Sequence, residues 1–250
     1  QRACQDINYV MHQAALGSVP ASIEDPLATH EVNVTGTLNM LLASRDSIVK
    51  RFIYASSSAV YGDDPTLPKK EGLEGQLLSP YATSKLICEH YAQTFTTVYN
   101  LETVGLRYFN VFGNRQDPNS IYAAVIPIFV QKLLNNDAPT IHGDGEQSRD
   151  FVYIDNIIHA NISAAMAPTS ACGKSYNIAC GSQLSLNQLY SHVSKYFDND
   201  LKPQYSKPRE GDIKHSHADI SYATKELNYT PSINFEEGLE KCIEWYKDHL

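Results

Sequence analysis

The chain of 250 residues predicts an α/β fold built on a doubly wound parallel sheet. Strand-like and helix-like segments alternate at βαβ spacing through Tyr108. Small or polar residues follow each expected strand of that stretch: Ala14-Ala15, Ser57-Ser58 and Phe109-Asn110. Ligands of doubly wound sheets sit at those carboxyl ends. The composition, 42% apolar and 19% charged, is that of an ordinary globular domain.

Taken in order, residues 7–12 (Ile-Asn-Tyr-Val-Met-His) predict a short buried strand, and Ala14 to Ser18 a loop whose small residues let a ligand approach the backbone. Val34, Leu38, Leu41 and Leu42 recur at helical spacing and predict a helix over 32–44, with Asn33 and Thr35 in its first turns. Residues 50–56 predict the second strand, which runs into the serine cluster Ser56-Ser57-Ser58. After a turn-rich stretch, Ser79-Pro80 opens a helix over 81–98, and residues 102–108 predict the third strand. Beyond Gly113 the expected helices are 123–134, 154–166, 186–197 and 235–247. Strands are expected near 151–153 and 175–179, a loop at 142–145, and a pocket-shaping loop over 201–219, rich in Pro and charge.

The formal charge of −8 argues against a general phosphate-backbone binder, and the 16 tyrosines are not interleaved with basic runs, so no nucleic-acid partner is expected. No apolar run is long enough to span a membrane. Five scattered cysteines without a CxxC pair predict buried, reduced thiols and a cytoplasmic location. His215-x-His217 lacks a supporting carboxylate or Cys pattern, so no metal is expected.

Tyr81 and Lys85 lie four apart near a helix N-terminus and so share one face. An ammonium beside a phenol, and the helix N-terminus, both favour the phenolate and predict a lowered Tyr81 pKa. Such a Tyr can exchange a proton with a secondary alcohol while a serine hydroxyl bonds the same oxygen and a nicotinamide takes the hydride. A bare YxxxK spacing is expected about once by chance in a chain with this much Tyr and Lys. The context makes it informative, because the pair opens a helix one connection after a strand ending in serines.

Six segments together resemble the extended short-chain dehydrogenase/reductases of the UDP-sugar 4-epimerase group. They are His12-Gln13-Ala14-Ala15, Asn33-Val34-Thr35-Gly36-Thr37, Ser56 through Gly62, Ser79 through Lys85, Arg107 through Gly113, and Ser148-Arg149-Asp150-Phe151. They occur in the family order. Residues 13–20 and 115–119 are most similar to bacterial UDP-N-acetylglucosamine 4-epimerases of surface-polysaccharide pathways. The resemblance implies a Rossmann-like NAD-binding part over 1–113. It implies a smaller α/β part over 114–250 that mainly binds UDP-sugar, with some segments returning to the first sheet.

It also implies a reaction: Tyr81 deprotonates the sugar 4-hydroxyl, Ser57 or Ser58 bonds that oxygen, and hydride leaves C4 for NAD. The 4-keto sugar then turns over, and hydride returns to its other face. Ser57 is the favoured catalytic serine, with Ser58 holding substrate. Ala14, Asn33, Tyr81, Lys85 and Phe109 match cofactor-contacting positions. Asn110 matches a sugar-nucleotide contact, Ala124 and Val125 offer backbone groups to uracil, and Arg149 and Arg209 face the diphosphate. Asp212 matches the uridine ribose position. Gly17 and Ser18 would accommodate an N-acetyl group. Ser216 matches a position that is a bulky tyrosine in some epimerases restricted to glucose and galactose, so a small side chain there predicts room for a 2-acetamido group. The expected substrates are UDP-GlcNAc and UDP-GalNAc, and the expected assembly is a homodimer through a four-helix bundle that includes helices 32–44 and 81–98.

The family's Gly-rich turn and the acidic residue after its second strand have no counterpart here. The first strand matches the fourth of the family sheet, and the chain begins without Met. The chain is therefore expected to be a processed or truncated product. Two alternatives follow: an inactive fragment that at most binds UDP-sugar, or another enzyme on this scaffold, acting on UDP-glucose or a UDP-uronic acid or as a 4,6-dehydratase. Ser58-Ala59 after Ser57 disfavours the dehydratase, whose relatives carry an acidic pair there.

Overall fold

The computed structural model describes residues 2–120, 124–208 and 214–250. In chain order the elements are β1 (Tyr9–His12), α1 (Val19–Glu24), α2 (Pro26–His30), α3 (Gly36–Asp46), β2 (Arg51–Ser57), α4 (Pro80–Tyr99), β3 (Glu102–Tyr108) and β4 (Asn110–Phe112). Next come α5 (Val125–Leu134), β5 (Thr140–His142), β6 (Ser148–Arg149), β7 (Phe151–Tyr153), α6 (Ile154–Met166) and β8 (Lys174–Ile178). The last are β9 (Leu184–Ser185), α7 (Leu186–Ser194), β10 (Gln204–Ser206), α8 (Ser221–Leu227) and α9 (Phe235–His249). The chain forms two compact units. The first comprises Gln1–Tyr108, Ile158–Ile178 and Asp219–Thr230; the second comprises Phe109–Ile157, Ala179–Ala218 and Pro231–Leu250.

The first unit holds a wholly parallel sheet of order β1-β2-β3-β8, the Rossmann-like arrangement expected. Val10, Phe52 and Tyr54 of the sheet pack with Leu41 of α3 and Phe95 of α4. Gly105 is required in β3, because a Cβ there would lie 2.5 Å from the Tyr54 hydroxyl and from Ser175 Oγ. Arg51 at the start of β2 is buried and fully engaged. It pairs with Glu102 at 2.6 Å and donates from Nη1 to the carbonyls of Ala164, Ala165 and Ala167 at 2.8, 3.0 and 2.7 Å. Those carbonyls lie at the C-terminal end of α6, where a cation satisfies orphan acceptors.

Helix α4 begins as the sequence predicts: Ser79 Oγ accepts from Ala82 N at 3.1 Å, and Pro80 occupies the first turn. It ends at Asn100 in the left-handed region, φ 57°. The expected helix 32–44 is instead a π-helical turn, Glu31–Thr35, followed by α3. Asn33 and Thr35 do not cap it. The buried Asn33 carboxamide turns to the loop after β1, accepting from Leu16 N at 2.8 Å and donating to Leu16 O at 3.1 Å and Ser84 Oγ at 3.0 Å.

In the second unit, β4 pairs with β7 and β5 with β10 in parallel, while β6 and β9 are antiparallel. Phe112 centres the core, with the rings of Tyr153 and Phe235 each at 5.5 Å. The expected loop 201–219 therefore contains a strand, β10, which docks beside β5. Helices α1, α2 and α8 arise where no helix was expected. Ser18 caps α1 and Asp25 caps α2, each with Pro in the first turn. The cysteines are all free; Cys4, Cys88 and Cys242 are buried, but Cys172 and Cys180 are only half-buried, against the expectation for five buried thiols. Among the described residues no helix is long and apolar enough to cross a membrane.

Candidate active site

The first unit brings together Ser57, Tyr81 and Lys85. Ser57 ends β2 and caps the short 3-10 turn Ser58–Tyr61, its Oγ accepting from Ala59 N at 3.1 Å. The Ser57 side chain comes near enough to the Tyr81 phenol to favour its ionised form. Ser58 lies in the turn itself. The turn closes at Gly62, φ 55°, where a Cβ would lie 2.0 Å from the Gln76 carbonyl oxygen, so only glycine fits.

Lys85 is buried, and its Nζ donates to the Ala55 carbonyl at 2.9 Å. That is one bond for a group with three donors. The ammonium lies 5.9 Å from the centroid of the Tyr81 ring. Burial pushes Lys85 down from its ordinary value, partly offset by Cys88 and Glu89. Burial likewise pushes the Tyr81 phenol up, against the Ser57 side chain, which favours its ionised form. The expectation of a lowered Tyr81 pKa is thus overturned for the protein alone: desolvation of the phenolate outweighs the opposing effect of the Ser57 side chain.

Behind this trio lies a buried polar cluster that the sequence did not single out. Arg107 of β3 forks onto Glu89 of α4, with Nε at 2.9 Å from Oε1 and Nη2 at 2.7 Å from Oε2. Its Nη1 donates to the Tyr61 hydroxyl at 3.0 Å and pairs with Glu74 at 2.5 Å. Ser56 donates to Glu89 Oε1 at 2.5 Å. Two cues were available: Arg107 opens a motif segment, and Glu89 follows Lys85 by one helical turn.

The second unit carries a cavity of about 330 Å³ lined by four of the expected substrate contacts, Asn110, Ala124, Val125 and Arg149. Phe112, Phe129 and Phe151 add apolar wall; Gln147 and His142 add polar groups. Ala124 occupies the position before α5, with no side-chain cap hydrogen bond. Arg149 Nη1 donates to the Ser148 carbonyl at 2.8 Å, fixing the guanidinium. Asp150, fully buried, accepts from Cys180 N at 3.0 Å and from Ser182 N and Ala218 N at 3.2 Å each. Burial pushes its carboxyl up to about 6.

Among the other expected contacts, Ala14 and Gly17 are exposed, and a Cβ on Gly17 would have no heavy atom within 4 Å. Ser18 Oγ is engaged as the α1 cap, 3.1 Å from Ala21 N. Phe109 and Ser216 are buried; Ser216 N donates to the Ser148 carbonyl at 3.0 Å, and Ser216 is not among the residues lining the cavity. Arg209 and Asp212 lie outside the described residues. His215 Nδ1 is hydrogen-bonded to Ser148 Oγ at 2.8 Å.

A parallel sheet whose second strand ends in a serine beside a helix-borne tyrosine, with a buried lysine one turn on, defines the short-chain dehydrogenase/reductase class. The model of the NAD dependent epimerase/dehydratase family matches residues 1–179. The structure of a UDP-N-acetylglucosamine 4-epimerase from Methanobrevibacter ruminantium M1, in complex with UDP-N-acetylmuramic acid, is similar at 42% identity and TM-score 0.95, covering 100% of this chain and 79% of that one. The UDP-glucose 4-epimerase of Thermotoga maritima, solved with UDP-glucose, gives 34% and 0.92, covering 96% and 77%. A UDP-glucuronate 4-epimerase of Thermodesulfobacterium geofontis is 36% identical, over 98% of this chain and 74% of its own length. The chain belongs to the NAD dependent epimerase/dehydratase family, in its UDP-sugar 4-epimerase group.

Proposed function

We propose that the protein interconverts UDP-N-acetylglucosamine and UDP-N-acetylgalactosamine by transient oxidation at C4 of the sugar. The observation that carries the oxidation chemistry is the meeting of Ser57 with the Tyr81 phenol, with the Lys85 ammonium 5.9 Å from the ring centroid. Lys85 fits the nicotinamide ribose of NAD, because it is a buried ammonium with a single described acceptor, Ala55 O, and two N–H groups left for hydroxyls. NAD bound there supplies the acceptor for the C4 hydride and the source of its return. Tyr81 takes the proton from the 4-hydroxyl and later gives it back, and Ser57 holds the same oxygen. The Lys85 ammonium, one helical turn from Tyr81, lies where a positive charge favours the phenolate over the phenol.

Unit 2 holds the nucleotide in this reading. The aromatic wall and the backbone of Ala124 and Val125 suit a uracil ring, and the Arg149 guanidinium suits the diphosphate. Arg209 and Asp212 would add contacts to the diphosphate and the ribose. Support for an N-acetylated sugar comes from the small side chain at Ser216, from the open space at Gly17, and from the similarity at 42% identity to a UDP-N-acetylglucosamine 4-epimerase. The test is a panel of UDP-GlcNAc, UDP-glucose and UDP-glucuronate offered to the protein with NAD. Conversion of UDP-GlcNAc supports the proposal; conversion of UDP-glucose with none of UDP-GlcNAc would falsify it.

A further inference from the structure

The geometry points to Glu89, clamped by Arg107, as the positioning residue that holds Ser57 and Lys85 in place around Tyr81; this rests on the epimerase reading above. Helix α4 meets the end of β2 through two successive turns. Lys85 donates to the carbonyl of Ala55, and Glu89 accepts from the hydroxyl of Ser56. Ala55 and Ser56 are the two residues immediately before Ser57. Ser56 is also the direct register partner of Arg107 across β2 and β3.

The chain after Ser57 is held by the same guanidinium. Arg107 Nη1 bonds the Tyr61 hydroxyl, which in turn donates to Asn177 Oδ1 at 2.6 Å. Ser57 is thus tied on both sides, and both ties run to one Arg–Glu fork. A shift of α4 along β2 that moved Tyr81 relative to Ser57 would also move Glu89 relative to Ser56 and Arg107. Misplacement of reacting groups by about 1 Å is enough to cost on the order of a hundredfold in rate.

The charges add a second reason. Arg107 faces three carboxylates, Glu89, Glu74 and Glu71, and Lys85 faces Glu89. His12 of β1, Cys88 of α4 and the Tyr81 ring are the other groups facing Lys85, and Tyr54 also faces Glu89. Glu89 acts to keep Lys85 protonated, and His12 feels the Lys85 charge in turn. Stability alone does not demand the fork, because a buried ion pair replaced by apolar residues of similar size is often neutral or stabilising. The Arg51–Glu102 pair, in which Nε and Nη2 both donate to Oε2, is a second ion pair of the same unit, away from Ser57, and serves as the structural comparator.

The test uses the full chain in four forms: unchanged, Glu89→Gln, the double change Glu89→Met with Arg107→Met, and the comparator Arg51→Met with Glu102→Met. Two quantities are read. One is kcat and KM for UDP-GlcNAc with saturating NAD. The other is the titration of Lys85 by NMR of carbon-13-labelled lysine, assigned through Lys85→Arg. Both Glu89 variants are expected to lose about tenfold or more in kcat, with KM held within about twofold, and to shift the Lys85 midpoint to lower pH. The comparator should leave both unchanged. A folded double variant with the kcat and Lys85 midpoint of the unchanged chain would overturn the inference. The double variant decides if Glu89→Gln does not fold. Absence of turnover in every form, the unchanged chain included, would refute the epimerase reading, and the Lys85 titration alone would then decide the positioning role.

Discussion

Replacing Asp150 by Asn should change how stability depends on pH, not merely its level. Asp150 is fully buried in unit 2, and its carboxyl is pushed from an ordinary 3.8 up to about 6, because burial outweighs the backbone donors of Cys180, Ser182 and Ala218. Between those two values the folded state binds the proton and the unfolded chain does not. Stability therefore falls as pH rises from about 4 to about 6 and is level above that range. The difference of about two pH units corresponds to about 3 kcal/mol. Asp150→Asn removes the titration whatever fixed cost its amide incurs beside three N–H groups. The free-energy difference between variant and unchanged chain should therefore shift by about 3 kcal/mol in favour of the variant between pH 4 and pH 7. Urea titrations at several pH values, followed by fluorescence of the single tryptophan, Trp245, report it directly, since Trp245 packs against the unit 2 core. A difference that does not change with pH, or that changes in the opposite sense, refutes the reasoning.

Further outcomes follow from the same structure. Tyr81→Phe should keep the fold and lose about a thousandfold or more in kcat, checked by circular dichroism alongside a UDP-GlcNAc turnover assay. Ser216→Tyr should lower kcat/KM for UDP-GlcNAc at least about tenfold more than for UDP-glucose; equal losses on both would show that the side chain does not discriminate the acetamido group. Burial pushes the thiols of Cys172 and Cys180 up to about 11 and that of Cys242 up to about 12. At pH 8 Cys172 and Cys180 should alkylate on the order of a hundredfold, and Cys242 on the order of a thousandfold, more slowly than a free thiol, with the rates rising steeply toward pH 10, as mass spectrometry of iodoacetamide-treated peptides would show.

The parallel sheet of unit 1 was legible because βαβ alternation and the Ser79-Pro80 start are local signals. The expected helix over 32–44 failed at its first turns for a tertiary reason. Asn33 reads as a polar first-turn residue, but its carboxamide is committed to Leu16 and Ser84, remote in sequence, and the backbone around it takes a π-helical turn. Helices α1 and α2 carry written signals in Ser18 and Asp25, each followed closely by Pro, in a stretch where no element was expected. Strand β10 is exposed along its whole length, so no burial pattern marks it, and it exists because β5 offers an edge.

At the site, Tyr81, Lys85 and Ser57 were legible from spacing and motif order. The upward push on the Tyr81 phenol was not, since it depends on burial that no i,i+4 rule contains. The Glu89–Arg107 fork joins residues of α4 and β3, and only the fold reveals that both meet the backbone beside Ser57. Asp150 is similar: its sequence neighbours mark a motif, while its three backbone donors come from two distant loops.

Transient oxidation at C4 is the central claim, and an isotope label tests it most directly. UDP-GlcNAc carrying deuterium at C4, incubated with the protein and NAD in ordinary water, should yield UDP-GalNAc that retains the deuterium at C4, because the hydride removed is the hydride returned. Product that has exchanged that deuterium for solvent hydrogen would contradict the account.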